Sequence, residues 1–184
     1  AASAGELLAF IDQPEGTAVG VVLLLHGLGG SSSREGLRRM GLALQQAGFL
    51  VLRLNLRGAD PGRHLAGGTY AARCNTDLLP VIARARELAA GRPLLGAGIS
   101  LGGPMLDLAA CSASIERPRN RVYQRWLLQR LVRQTLADPF GVSELEETNL
   151  TGSSTPRTIL DFDSAVTAPR WGFADVWGYY REAS

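Results

Sequence analysis

The chain contains no lysine: all 19 of its basic residues are arginine. That absence excludes a P-loop lysine, a pyridoxal Schiff base and every other lysine-dependent chemistry within these 184 residues. Histidine is nearly absent too, with only His26 and His64. Two cysteines, Cys74 and Cys111, are too few for a disulfide framework or a cysteine-based zinc site, and both read as small apolar residues or inert thiols. No metal or organic cofactor is implied. A strong excess of either charge is missing as well: 17 acidic residues against 19 basic ones leave a net charge of +2, too balanced for a nucleic-acid footprint. Apolar runs such as Leu7 to Ile11 and Val21 to Leu25 fall far short of the roughly 20 residues of a membrane span. The first residues show no basic stretch followed by an apolar run, so no signal peptide is expected and the cytoplasm is the default location.

What is present suits a globular protein, with 46% hydrophobic and 20% charged residues. A peripheral strand is expected within 6–12. The continuous apolar run 19–25 reads as a strand covered on both faces, as in a parallel sheet. Ser32 or Ser33 is placed to cap a helix reaching about Ala47, with Leu37, Met40, Leu44 and Ala47 on one side and Gly48 as terminator. Strand 49–54 follows, then a helix over 76–90 with Pro80 tolerated in its first turn, and a short strand 94–97. Strands alternating with helices argue for βαβ units. Beyond residue 104 the pattern changes to helices: 121–137, stopped by Asp138-Pro139, and 171–181. The first carries Val122, Trp126, Leu127, Leu131 and Thr135 on its apolar side, the second Phe173, Val176, Trp177 and Tyr180. Residues 141–156 read as a polar loop with a short helix around Ser143 to Glu147.

Two glycine-rich segments carry the chemistry. Gly98-Ile99-Ser100-Leu101-Gly102 fits the G-x-S-x-G nucleophile elbow and follows a strand, as that motif requires. Gly98 and Gly102 let the backbone turn sharply, lifting the Ser100 hydroxyl above the sheet while the Leu101 N–H faces a developing oxyanion. The bland alternative is an ordinary glycine-rich strand-to-helix turn. His26-Gly27-Leu28-Gly29-Gly30 closes an earlier strand, where the second oxyanion donor belongs, and Leu28 N–H is the candidate. His26 and Gly27 read as support for this loop, with His26 a structural histidine in preference to a general base.

Together with Asn55-Leu56-Arg57-Gly58, these segments resemble the α/β-hydrolase superfamily, and more narrowly the YheT-like esterases of the abhydrolase group. Arg121 to Arg125, Asp161 to Asp163, Thr167 to Pro169, Gly172 to Asp175 and Tyr179-Tyr180 resemble that group's lid. The resemblance implies an α/β fold with a mostly parallel sheet, helices on both faces and a helical lid. Residues 1–103 are then the N-terminal part of the core, with oxyanion loop and nucleophile elbow, and 104–184 the lid segment. It also implies a serine-dependent hydrolase of short- or medium-chain acyl esters, with Ser100 as nucleophile and Leu28 and Leu101 as oxyanion donors.

The fold's order is serine, acid, histidine, yet no histidine follows Ser100. Asp161, Asp163 and Asp175 sit in lid-like surroundings, and none is assigned as triad acid. The expectation is that the core's C-terminal strands, with acid and histidine, lie outside these residues, and that further residues are omitted near Gly103-Pro104 and Gly152-Ser153, since a parallel crossover needs about a dozen residues. The alternative is a non-catalytic, hydrolase-like binding protein. His64, in a polar loop before the nucleophile, would act as base only through an unusual order. A dinucleotide reading of Gly96-Ala97-Gly98 fails because position 101 is leucine where G-x-G-x-x-G needs glycine. Trp126, Trp171, Trp177, Tyr179 and Tyr180 read as lid packing. Arg117, Arg119, Arg121, Arg125, Arg130 and Arg133 read as a solvated helix face, with phosphate headgroups and transient membrane contact as the sharper alternative. The expected partner is a small acyl-ester or lipid-like substrate, with oligomeric state left open.

Overall fold

The apolar run that ends at Leu25 becomes the interior strand of a four-stranded sheet, in which Val21 and Leu24 are wholly shielded from solvent. The computed structural model describes residues 5–99, 107–153 and 155–183. Its strands are β1 (Ala9–Asp12), β2 (Gly20–Leu25), β3 (Phe49–Leu54) and β4 (Leu94–Gly98), in the order β1-β3-β2-β4. β2 runs parallel to both β3 and β4, and β1 is antiparallel to β3. Helix α1 (Glu35–Gln46) connects β2 to β3, and α2 (Leu78–Ala89) connects β3 to β4. Alternate side chains of β2 and β3 face opposite layers, as the strand period dictates. Leu24 and Val51 pack with Leu37 of α1, whereas Val21, Leu23, Leu52 and Leu54 pack with Ala85 and Ala89 of α2. This is an α/β-hydrolase arrangement, a mostly parallel sheet with helices on both faces.

The crossover from β2 runs to β3 on one side, and the next, from β3, returns past β2 to β4 on its other side. The sheet's topology therefore switches between β2 and β4, and the crevice beyond their carboxyl ends is the place where such sheets bind ligands. Over that end lie α3 (Leu108–Ile115), α4 (Arg121–Leu136), α5 (Glu144–Thr151), α6 (Ile159–Phe162) and α8 (Val176–Ala183). A π-helical turn, Asp163–Thr167, joins α6 to the short α7 (Ala168–Arg170). Among the described residues, no helix is long and apolar enough to cross a membrane.

Several sequence expectations shift. Helix α1 starts from Arg34 without a side-chain cap, because Ser32 is drawn inward: its N–H donates to Asn55 Oδ1 at 2.8 Å. Gly48 ends that helix as expected, at φ +90°. On α4 the buried stripe is Gln124, Leu127, Leu128, Leu131 and Thr135. Val122 and Trp126 are exposed, Trp126 stacking on Tyr123 outside the core. The expected helix 171–181 begins only at Val176, since the chain turns through Gly172 at φ +79°, and Tyr179 and Tyr180 pack inward while Trp177 points out. Residues 144–151 form a full helix with a Ser143–Glu146 capping box.

Candidate active site

β2 releases the chain into a tight turn over Gly27–Gly30, closed by the Gly30 N–H donating to the Gly27 carbonyl at 3.0 Å. The third residue of such a turn needs positive φ, and Gly29 supplies it at +65°. A side chain at Gly30 would press within 2.9 Å of the Gly27 carbonyl, so glycine is required there as well. Among the described residues, the Leu28 N–H has no hydrogen-bond partner. It is left available for an incoming acceptor.

His26 fastens this turn to the neighbouring strand. Its Nδ1–H donates to the Gly27 carbonyl at 2.8 Å, and its Nε2 accepts the Leu56 N–H at 3.0 Å, an arrangement that requires the neutral Nδ1–H tautomer. Burial pulls the ring's pKa down, the Gly27 hydrogen bond partly offsets this, and the Arg34 charge adds to the lowering. With both nitrogens engaged, the ring has none left to accept a serine proton. His64 is exposed in a 3₁₀ turn after β3.

β4 delivers the second glycine-rich segment to the same edge. Leu25 pairs with Gly98, and the Ile99 N–H donates to the Leu25 carbonyl at 3.1 Å. Ser100, Leu101 and Gly102, the expected nucleophile, second donor and elbow glycine, lie outside the described residues, as does the expected joint at Gly103-Pro104.

Beside this edge opens a cavity of about 520 Å³. Its core side is formed by His26, Leu28, Leu56 and Tyr70, and its helical side by Leu127, Leu131, Ile159, Phe162 and Tyr180. The floor loop is braced by Arg57, buried to 7% exposure, which grips Asp77 through two bonds of 2.9 and 3.0 Å and donates to the Gly67 carbonyl at 2.8 Å. Cys111 also borders the cavity, but burial raises its thiol pKa, and the Cys74 thiol is pushed up to about 12 by burial. Neither is a nucleophile at neutral pH.

The three carboxylates of the later segment separate by role. Asp161 accepts from the N–H groups of Arg157 and Thr158 at the start of α6, and Asp175 accepts from the Gly178 N–H at the start of α8. Asp163 alone borders the cavity, held by the Thr167 hydroxyl at 2.7 Å and the Tyr180 hydroxyl at 2.8 Å. Burial pushes its pKa up to about 6, against the two donors. Sequence reasoning missed both this carboxyl cluster and the Arg57–Asp77 clamp. The i, i+4 spacing of Asp163 and Thr167 is a signal for the first, hidden because Pro169 disguised the helix. Among the described residues, no three His, Cys, Asp or Glu side chains converge as metal ligands.

The chain is similar to proteins of known name. Mouse "Phospholipase ABHD3" is 26% identical over 89% of this chain, and "Putative esterase YheT" of Escherichia coli K12 is 26% identical over the same share. The alignments cover 45% and 55% of those two proteins, so the chain spans about half the length of the curated relatives it matches. A soluble variant of Saccharomyces cerevisiae monoglyceride lipase, solved with a substrate analog, superposes with a TM-score of 0.50 at 17% identity, over 85% of this chain and 60% of the lipase. No family model matches.

Proposed function

From its place among the abhydrolase, YheT-like α/β-hydrolases, we propose that the protein is a serine-dependent carboxylic ester hydrolase. The Ser100 hydroxyl attacks the ester carbonyl. The tetrahedral oxyanion is held by the N–H groups of Leu28 and Leu101, each such donor being worth about 2.7–4 kcal/mol in the transition state. Collapse expels the alcohol and leaves the acyl group on Ser100, and water releases the acid. His26 and Gly27 hold the oxyanion turn, while Gly98 and Gly102 flank the elbow. His26 is spent on that structural task, so the serine proton passes to a histidine, oriented by an acid, from beyond these 184 residues. Residues 1–103 are the catalytic core segment and 104–184 a helical lid roofing the acyl cavity, which suits a short or medium chain.

The carrying observation is the Ile99–Leu25 hydrogen bond, which brings the strand bearing the G-x-S-x-G motif to the strand bearing the glycine turn, beside an apolar cavity. Fluorophosphonate labelling of the intact protein, abolished by Ser100→Ala, is the expected result. Absence of labelling overturns the esterase reading in favour of a non-catalytic, hydrolase-like binder.

A further inference from the structure

The four arginines Arg34, Arg63, Arg130 and Arg133 come from three distant stretches of chain and line a second cavity of about 370 Å³. This cavity shares Gly29 and Gln134 with the acyl cavity, so the two adjoin at the glycine turn. Asp60 is its single carboxylate lining residue, and Arg63 Nη2 already pairs with it at 2.8 Å. Among the described residues, Arg34 and Arg133 have no ion-pair partner. The Nε atoms of Arg63 and Arg130 are buried, and among the described residues neither finds an acceptor.

Buried guanidinium donors without acceptors cost free energy, and like charges converging on one cavity add repulsion. A polyoxyanion relieves both at once, because the planar guanidinium fork matches phosphate geometry. Two of the guanidinium groups are held in place: Arg63 is anchored by Nη1 on the Ala137 carbonyl at 3.0 Å and Nη2 on Asp60, which leaves its Nε as the donor for a ligand, and Arg130 lies 4.8 Å over the Trp126 ring. We propose that these four arginines form a binding site for a phosphate-class anion, either a free phosphate or phosphoester or the headgroup of an anionic lipid. The site stands independently of the serine chemistry. Only its extension to catalysis rests on the ester-hydrolase reading: a phosphate-bearing acyl ester would place its chain in one cavity and its phosphate in the other, which adjoin at Gly29.

Calorimetric titration of the intact protein with inorganic phosphate at constant ionic strength tests the site without turnover. Saturable binding is expected, weakened at least about tenfold by Arg130→Gln and by Arg133→Gln, since a hydrogen bond to a charged group carries that much. Arg125→Gln, at an exposed position of the same helix, leaves it unchanged. Arg34→Gln, also at an exposed position, is the second variant and weakens binding with an unaltered melting temperature. Lack of saturation, indifference to the Arg130, Arg133 and Arg34 substitutions, or equal loss in Arg125→Gln overturns the proposal. Co-sedimentation with phosphatidylcholine vesicles containing phosphatidic acid identifies the source. Vesicle binding lost in Arg133→Gln points to a lipid headgroup, and phosphate binding without vesicle binding points to a soluble phosphoester. Failure of fluorophosphonate labelling leaves the anion site standing, and failure of phosphate binding leaves the esterase reading standing.

Discussion

Ile99 and Leu25 are joined by a main-chain hydrogen bond of 3.1 Å, one step past the last register pair of β2 and β4. The bond extends the parallel ladder to the point where both chains leave the sheet, so the glycine turn after Leu25 and the segment after Ile99 start side by side. Two strands separated by an intervening β-α-β crossover are thereby committed to a single edge.

His26 supports that edge through its hydrogen bonds, and its charge state follows from them. His26→Ala leaves the Leu56 N–H buried without an acceptor, so a loss of about 1–3 kcal/mol is expected in urea unfolding. In the intact protein the ring's lowered pKa means that His26 stays neutral at physiological pH. NMR titration of the ring carbon protons is expected to show no charging between about pH 7 and 8 for His26.

Arg57 is buried and its partner Asp77 is half-buried, so removing the guanidinium leaves a partly shielded carboxylate and the Gly67 carbonyl without their donor. Arg57→Met is expected to cost about 1–3 kcal/mol. Arg57→Met combined with Asp77→Leu recovers much of that loss, because no uncompensated charge remains. A double-mutant cycle by denaturant unfolding measures the coupling.

Much of the core was legible from local pattern alone. The strands β2 and β3 announce themselves because most residues of their runs face a covered layer, although Val19 at the start of the first run is exposed. The face of α4 was legible in part: Leu127, Leu131 and Thr135 are buried as expected, but Gln124 and Leu128 are buried in place of Val122 and Trp126, two overlapping stripes between which periodicity alone cannot choose. The choice comes from the partner, since α4 lies on the glycine turn, where a side chain at Gly29 would meet the Arg130 Cβ at 3.3 Å. Residues 159–170 hid their helices behind Thr158, Asp161 and Pro169, residues that read as loop but serve as cap and first-turn proline. The arginine cavity was invisible for a different reason. Arg34, Arg63 and Arg130 meet only through the tertiary fold, and of the arginine-rich stretch read as one face only Arg130 and Arg133 reach it.

Arg170 ties α7 to Asp138 at 2.8 Å and to Glu146 at 2.5 Å. Burial raises the Glu146 pKa, but hydrogen bonds from Arg170 and Ser143 outweigh it and hold the carboxyl below its ordinary value. A depressed carboxyl pKa adds stability above the unfolded-state value, and that stability is lost as pH falls through the folded one. Glu146→Gln is therefore expected to lower the melting temperature at pH 7 and to have a smaller effect near pH 3. Thermal unfolding across that range checks the sign.

Asp163 has the opposite sign. Its pKa is raised from 3.8 to about 6, so the folded state holds the proton more tightly than the unfolded chain. Its contribution is fully present below the unfolded value and is lost as pH rises through the folded one, between about 4 and 6. At pH 7.5 the carboxylate is ionised in a buried setting, where the Thr167 and Tyr180 hydroxyls are its donors among the described residues. Asp163→Asn keeps an acceptor for either hydroxyl and removes the charge. The substitution is expected to raise the melting temperature at pH 7.5 relative to the parent, with the advantage shrinking as pH falls toward 4, where the parent is itself protonated. A difference that stays constant from pH 4 to 7.5 would mean that the carboxyl does not titrate in this window and that its charge is not what limits stability there. Because Asp163 borders the cavity beside the glycine turn, the same change removes that carboxylate's charge from the cavity wall at neutral pH. Binding of an apolar acyl probe to the parent should therefore strengthen as pH falls from 7.5 to 5, and in Asp163→Asn that dependence should vanish.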